Sequence, residues 1–141
     1  MLSRQGHRLL QVGVALLIFS SIEGFAIPYL ASPSLGLSVH RLSALQAVLL
    51  IALGLLWPRL DLAEMKSRCA FWLLLYSTFA ILVAYGMAAG WGAGNETMPL
   101  AAGAAHGSHL QETLIKLVAY SSAPTGLVSF ALILWGLRRS D

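Results

Sequence analysis

The sequence predicts an all-α fold: an integral membrane bundle of four transmembrane helices, forming one domain over residues 1–141. Two observations carry this. The chain is 57% hydrophobic and only 11% charged, whereas soluble domains carry about 25% charged residues. Its apolar residues also fall in four runs, each near the length a helix needs to cross a bilayer. Backbone polar groups in lipid must be satisfied within a helix or a closed barrel. The runs are continuous rather than alternating, which excludes the barrel.

The first helix is expected over roughly residues 9–30. Arg4 and Arg8 precede it, as basic residues precede a secretory signal. The run is too long for a signal, holds Glu23 and ends without a small-x-small pattern, so it reads as a retained span. The stretch "ASPSLGLS", with Pro33 and Gly36, reads as a turn. A second helix follows over roughly residues 42–57, the shortest of the four, with Pro58 as its stop. After the polar loop "PRLDLAEMKSR" comes a third helix over roughly residues 69–91. The longest connection, "GWGAGNETMPLAAGAAHGSHLQE", is rich in Gly and Ala and is expected to pack down on the bundle. Its Asn95-Glu96-Thr97 matches a glycosylation sequon, which has meaning only in a eukaryotic secretory setting. The fourth helix is expected over roughly residues 114–137, with Glu112 and Lys116 in the i, i+4 order that supports a helix start.

Charge gives an orientation. Seven of the nine Lys and Arg lie on one side: Arg4, Arg8, Arg59, Lys66, Arg68, Arg138 and Arg139. Arg41 and Lys116 are the other two. The positive-inside rule then predicts a multi-pass protein with both termini cytoplasmic. The net charge of +3 is a topology signal; the positives are split among short segments without aromatic platforms, so no nucleic-acid partner is expected. One cysteine, Cys69, can form neither an internal disulfide nor a zinc site. There is no phosphate-binding glycine loop, nucleophile elbow, His-Glu-x-x-His or CxxC.

Any chemistry belongs to the opposite, outer side, which holds His40, His106 and His109, with only His7 on the basic side. His40, Ser43 and Gln46 open the second run at steps of three, a slanting polar stripe about 9 Å long. Such a stripe faces the bundle or a cavity. Two readings stay open: an interfacial histidine with two residues hydrogen-bonding a neighbouring helix, or a neutral imidazole holding a metal or haem iron, with Gln46 aimed at a ligand below it. Counting from the helix ends puts Tyr85 at the depth of Gln46, where its phenol can donate to a departing oxygen or serve as a belt tyrosine. Tyr76 and Tyr120 read as structural. Glu23, the one acid inside an apolar run, is either functional or a boundary charge paired with Arg41 or Lys116. His106 and His109 are spaced i, i+3 without a local Cys or carboxylate cluster, a weak metal signal.

The strings "IPYLASPSLGLSVHRLSALQAVLLIALGLLWPRL", "FWLLLYSTFA" and "WGAGNETMPLAAGAAHGSHLQETLI" resemble the hydroxylaminobenzene mutases of bacterial nitroaromatic degradation. The resemblance runs from about Ile27 to Arg139, with Pro33, Gly36, His40, Trp57, Pro58, Met98, Pro99, His106, Ser108, Gln111 and Glu112 in matching order. It implies a Bamberger-type rearrangement of an aryl hydroxylamine to an aminophenol in a bacterial inner membrane, without net redox change. The chain is more distantly similar to the styrene oxide isomerases, also small four-helix membrane proteins. That likeness implies haem b bound through His40 between subunits of a trimer, its iron a Lewis acid. It places Gln46 where that family has asparagine, and makes Tyr85 the substrate-orienting tyrosine. The chain departs from the mutases at Phe79-Ala80-Ile81, where they tend to have Tyr-Ala-Asn. The leading expectation is therefore a membrane mutase, a homo-oligomer acting on a small aromatic substrate, with Gln46, Tyr85 and Ser43 in the catalytic pocket and His40 as iron ligand. The alternatives are a haem b-dependent epoxide isomerase and a non-catalytic membrane subunit or haem carrier.

Overall fold

A computed structural model describes residues 3–137. Arg138 and Arg139 of the orientation argument lie outside the described residues. Helices α1 (Arg4–Ala26), α2 (Pro33–Leu56), α3 (Glu64–Trp91) and α5 (His109–Leu137) are joined by short connections, with a one-turn helix α4 (Pro99–Ala102) in the longest. No strand occurs among the described residues. The four long helices are all long and apolar enough to cross a membrane.

The helices begin before the apolar runs that announced them. Ser3 caps α1, its Oγ accepting from the Gly6 amide at 3.0 Å. The expected turn "ASPSLGLS" is mostly helix, because Pro33 opens α2; the first helical turn needs no N–H there, and the ring already holds a helical φ. His40 is therefore about two turns inside α2 rather than at its mouth. Helix α3 likewise starts at Glu64, inside the polar loop. An apolar run marks where lipid contacts a helix, whereas the hydrogen-bonded ladder continues to the first cap.

The helices pack as two antiparallel pairs, α1 with α2 and α3 with α5, joined through α2 and α3. The first pair closes where Gly6 meets Gly54. A Cβ built on Gly6 would lie 2.6 Å from the Gly54 carbonyl oxygen, so no larger residue fits. The second pair is sewn by hydroxyls: Ser77 Oγ donates to the Ser122 carbonyl and Ser129 Oγ to that of Ala70, each at 2.8 Å. Pro124 lies inside α5. Around it, the hydroxyls of Ser121, Ser122 and Thr125 donate to carbonyls of the preceding turn, the device that lets spanning helices carry proline.

Each end of the bundle has its own lock. At the basic end, the indole Nε1–H of Trp57 donates to Gln5 Oε1 at 3.0 Å and to Ser67 Oγ at 3.2 Å. Ser67 Oγ in turn donates to Gln5 Oε1 at 2.7 Å, tying three helices together. At the opposite end the long connection packs down as expected. Ala93, Met98 and Ala102 are buried with Leu35, Val39, Ala88 and Ile115. The lock there is Glu112, only 3% exposed. Its Oε1 accepts the amides of Gly94 at 2.8 Å and Gly107 at 3.0 Å, and Oε2 that of Glu96 at 3.4 Å. The surface pairing of Glu112 with Lys116 is thereby corrected: the carboxylate turns inward because three loop N–H groups need an acceptor. The Asn95 side chain of the sequon donates to the Gly103 carbonyl within the same connection.

Candidate functional site

The site grows from the face that α1 offers to α2. Ser20, Glu23 and Gly24 lie one turn apart or less on α1, and His40 of α2 lies against them. His40 Nδ1 is 2.9 Å from the Ser20 carbonyl oxygen. A carbonyl only accepts, so Nδ1 carries the hydrogen, the tautomer that puts an imidazole lone pair on Nε2. Ser20 Oγ donates to the His40 carbonyl at 3.1 Å and lies 3.4 Å from Nδ1, so serine and histidine grip each other through backbone and side chain. Among the described residues, Nε2 has no protein partner, and the imidazole is 37% exposed.

Glu23 stands behind this ring. Its Oε2 is 3.5 Å from His40 Nδ1, and its side chain is 10% exposed. Both carboxylate oxygens are buried without a hydrogen-bond partner. The boundary pairing with Arg41 or Lys116 is thus replaced by His40. The neighbour at Gly24 is also the ring: a Cβ there would be 3.3 Å from the imidazole Cε1. Glycine at this position leaves the ring its place.

The polar stripe divides between two neighbours. His40 faces α1. Ser43 is fully buried, its Oγ donating to the His40 carbonyl of its own helix at 3.0 Å. Gln46 faces α3, where Thr78 Oγ1 donates to its Oε1 at 3.3 Å. Tyr85 does not lie at the depth of Gln46. It lines a groove of about 390 Å³ with Ser38, Arg41, Leu42, Leu45 and Ile81, nearer the His40 turn. The offset follows from the early start of α2: counted from Pro33 rather than His40, Gln46 is about two turns deeper than Tyr85. A second groove, about 320 Å³, runs between α1, α2 and α3. Its walls are Leu16, Phe19, Val39, Phe79, Leu82, Val83 and Gly86. It is an apolar, aromatic hollow whose lining includes the sequence neighbours of Ser20 and His40, Phe19 and Val39, but neither Ser20 nor His40 itself.

The remaining candidates lie elsewhere. The Tyr76 hydroxyl bonds Ser121 Oγ at 2.8 Å across α3 and α5, and Tyr120 is exposed on α5. His106 and His109 are exposed at the loop end and His7 at the basic end. Among the described residues no group of three or more His, Cys, Asp and Glu could hold a metal ion. Sequence reasoning missed Ser20 and Thr78. The only sign of Ser20 was its i, i+3 spacing to Glu23; Thr78 lay unremarked beside the Phe79-Ala80-Ile81 departure.

The sequence matches the styrene oxide isomerase family over residues 5–138. The chain belongs to that family. Two relatives are hydroxylaminobenzene mutases of Ectopseudomonas oleovorans. HabB is 44% identical over 132 residues, covering 94% of this chain and 80% of that protein. HabA is 32% identical over 127 residues, covering 90% of this chain and 94% of that protein. No solved structure matches. The resemblance read from the sequence strings is borne out, and with it the isomerase class: this member of the styrene oxide isomerase family is an isomerase built on four apolar helices.

Proposed function

We propose that this protein is a mutase of the bacterial inner membrane that converts aryl hydroxylamines such as hydroxylaminobenzene into aminophenols. The observation that carries the reading is the 44% identity, over 94% of the chain, to a hydroxylaminobenzene mutase. The reaction is an isomerisation. One N–O and one ring C–H bond break, one ring C–O and one N–H bond form, and no external electrons are needed.

The residues present suit this work. The apolar groove along α1, α2 and α3 takes the aromatic ring and keeps water from the cationic transition state. Of the polar residues, Tyr85 lines the other groove, with Ser38 and Arg41, where its phenol would donate to a departing oxygen, and the Gln46–Thr78 pair lies about two turns deeper. His40 fits a haem ligand: its Nδ1–H is fixed by the Ser20 carbonyl and backed by Glu23, the pattern that orients a ligating imidazole. Haem b held through Nε2 would supply a Lewis acid for the leaving oxygen. The half-exposed imidazole on the outside of one chain favours a homo-oligomer, a trimer by family resemblance, in which a neighbouring copy closes the site. The basic end, with Arg4, Arg8, Arg59, Lys66 and Arg68, supports a cytoplasmic side for both termini by the positive-inside rule.

Family membership supports a second reading, isomerisation of an epoxide to an aldehyde. Membranes containing the protein, offered hydroxylaminobenzene and styrene oxide side by side, separate the two. Aminophenol is the expected product. Phenylacetaldehyde alone would move the assignment to the second reading, and turnover of neither would overturn both.

A further inference from the structure

The basic end carries a groove that the isomerase chemistry does not use. It measures about 380 Å³ and is lined by Arg4 and Arg8 of α1, by Glu64, Arg68, Phe71 and Trp72 of α3, and by Ser3 and Gln5. Three guanidinium groups share it with one carboxylate. The Gln5–Ser67 bond of 2.7 Å ties α1 to α3 at this end, so the helix starts that carry the three exposed arginines are held together. Helices α1 and α3 also both begin here, so two helix N-termini add to the positive field. Like charges held together in this way call for an anion.

Trp72 connects this groove to a second one. Along α3, Trp72, Leu75 and Tyr76 line an almost wholly apolar trough of about 550 Å³ that runs on to Phe79 and Val83, which it shares with the groove between α1, α2 and α3. A basic pocket opening through one tryptophan into an apolar trough has the outline of an anionic phospholipid: phosphate at the arginines, acyl chain along α3.

We propose that Arg4, Arg8 and Arg68 form a binding site for the headgroup of an anionic phospholipid, whose acyl chain lies in the trough below Trp72. The site rests on the membrane placement proposed above. Its chemistry commits it to a lipid rather than free phosphate, because the basic groove and the apolar trough share Trp72.

The test is native mass spectrometry of the full chain in a non-ionic detergent, titrated with phosphatidylglycerol, with phosphatidylcholine of the same acyl chains, and with inorganic phosphate. Phosphatidylglycerol is expected to bind about tenfold more tightly than phosphatidylcholine. The combined Arg4→Gln, Arg8→Gln, Arg68→Gln variant should bring the two together. Arg59→Gln, outside the groove, should leave the preference intact. Trp72→Ala should weaken both lipids alike. Equal binding of the two lipids by the unaltered protein, or a preference that survives the triple change, overturns the proposal. So does full competition by inorganic phosphate, which would make this a free-anion site. Exclusion of lipid from the oligomer, with the triple variant falling apart into single chains, would give the groove to a second copy instead. A chain that partitions into water and retains neither lipid sinks the membrane placement itself, an outcome separate from loss of headgroup preference alone.

Discussion

His40→Ala is expected to lower isomerase activity by about 10²- to 10³-fold, the effect of losing one preorganised stabiliser of a leaving oxygen, here the Lewis acid this ring is proposed to hold. The fold should survive. The imidazole is 37% exposed, so its removal opens no core cavity, but it leaves the buried Glu23 carboxylate and the Ser20 carbonyl without their partner, at a cost of about 1–3 kcal/mol. The absorption spectrum of the purified variant adds a second readout, since a haem held by this ring loses its Soret band with it. Two neighbouring changes grade the effect. Gly24→Ala sets a methyl 3.3 Å from the imidazole Cε1, so the ring must shift by a few tenths of an ångström and activity should fall several-fold, about 3 to 10 times. Glu23→Gln keeps the shape behind the ring but removes the carboxylate, and should move the Soret position of a haem held by this ring while leaving the protein folded. A His40→Ala protein retaining half of the original activity would remove this histidine from the reaction.

Glu112→Ala is the substitution expected to cost most in stability. It strips the acceptor from three backbone amides, those of Gly94, Glu96 and Gly107, in a site where the side chain is 3% exposed. Each buried N–H left without a partner costs about 1–3 kcal/mol, so a loss of about 3–5 kcal/mol is expected once the freed loop relaxes. Glu112→Gln separates the hydrogen bonds from the charge. Its remaining oxygen can serve Gly94 and Gly107, which share Oε1, so it should lose less than half as much. Thermal unfolding in detergent measures both. Faster cleavage of the 93–108 connection by protease in Glu112→Ala than in the parent would locate the damage. Equal stability of the alanine variant and the parent would show that the connection is held by its apolar residues alone.

The bundle was legible because lipid asks for a simple pattern: long apolar runs, charges confined to the ends, proline at a stop. The helix starts were not. Pro33 and Glu64 lie in polar stretches, where nothing distinguishes a helix leaving the apolar zone from a loop. That misplacement then propagated, setting Tyr85 level with Gln46 when it belongs nearer His40. His40 was visible because a histidine is rare inside an apolar run. Its partners were not, because Ser20 looks like any small helix-packing residue and Glu23 has two cations at plausible depth, Arg41 and Lys116. Choosing among three candidate partners takes the crossing of α1 over α2, which the Gly6–Gly54 contact sets. Glu112 was misread for a related reason. The i, i+4 rule describes an isolated helix in water, whereas this helix start has a glycine-rich chain folded over it whose amides outcompete a lysine.

Trp57 gives the molecule a built-in optical reporter. It is 3% exposed, while Trp72, Trp91 and Trp135 are 60%, 43% and 55% exposed. Brominated acyl chains would therefore extinguish the emission of three indoles and spare the fourth. The light that survives would come from the knot of Gln5, Trp57 and Ser67, and would dim when the first three helices let go of one another.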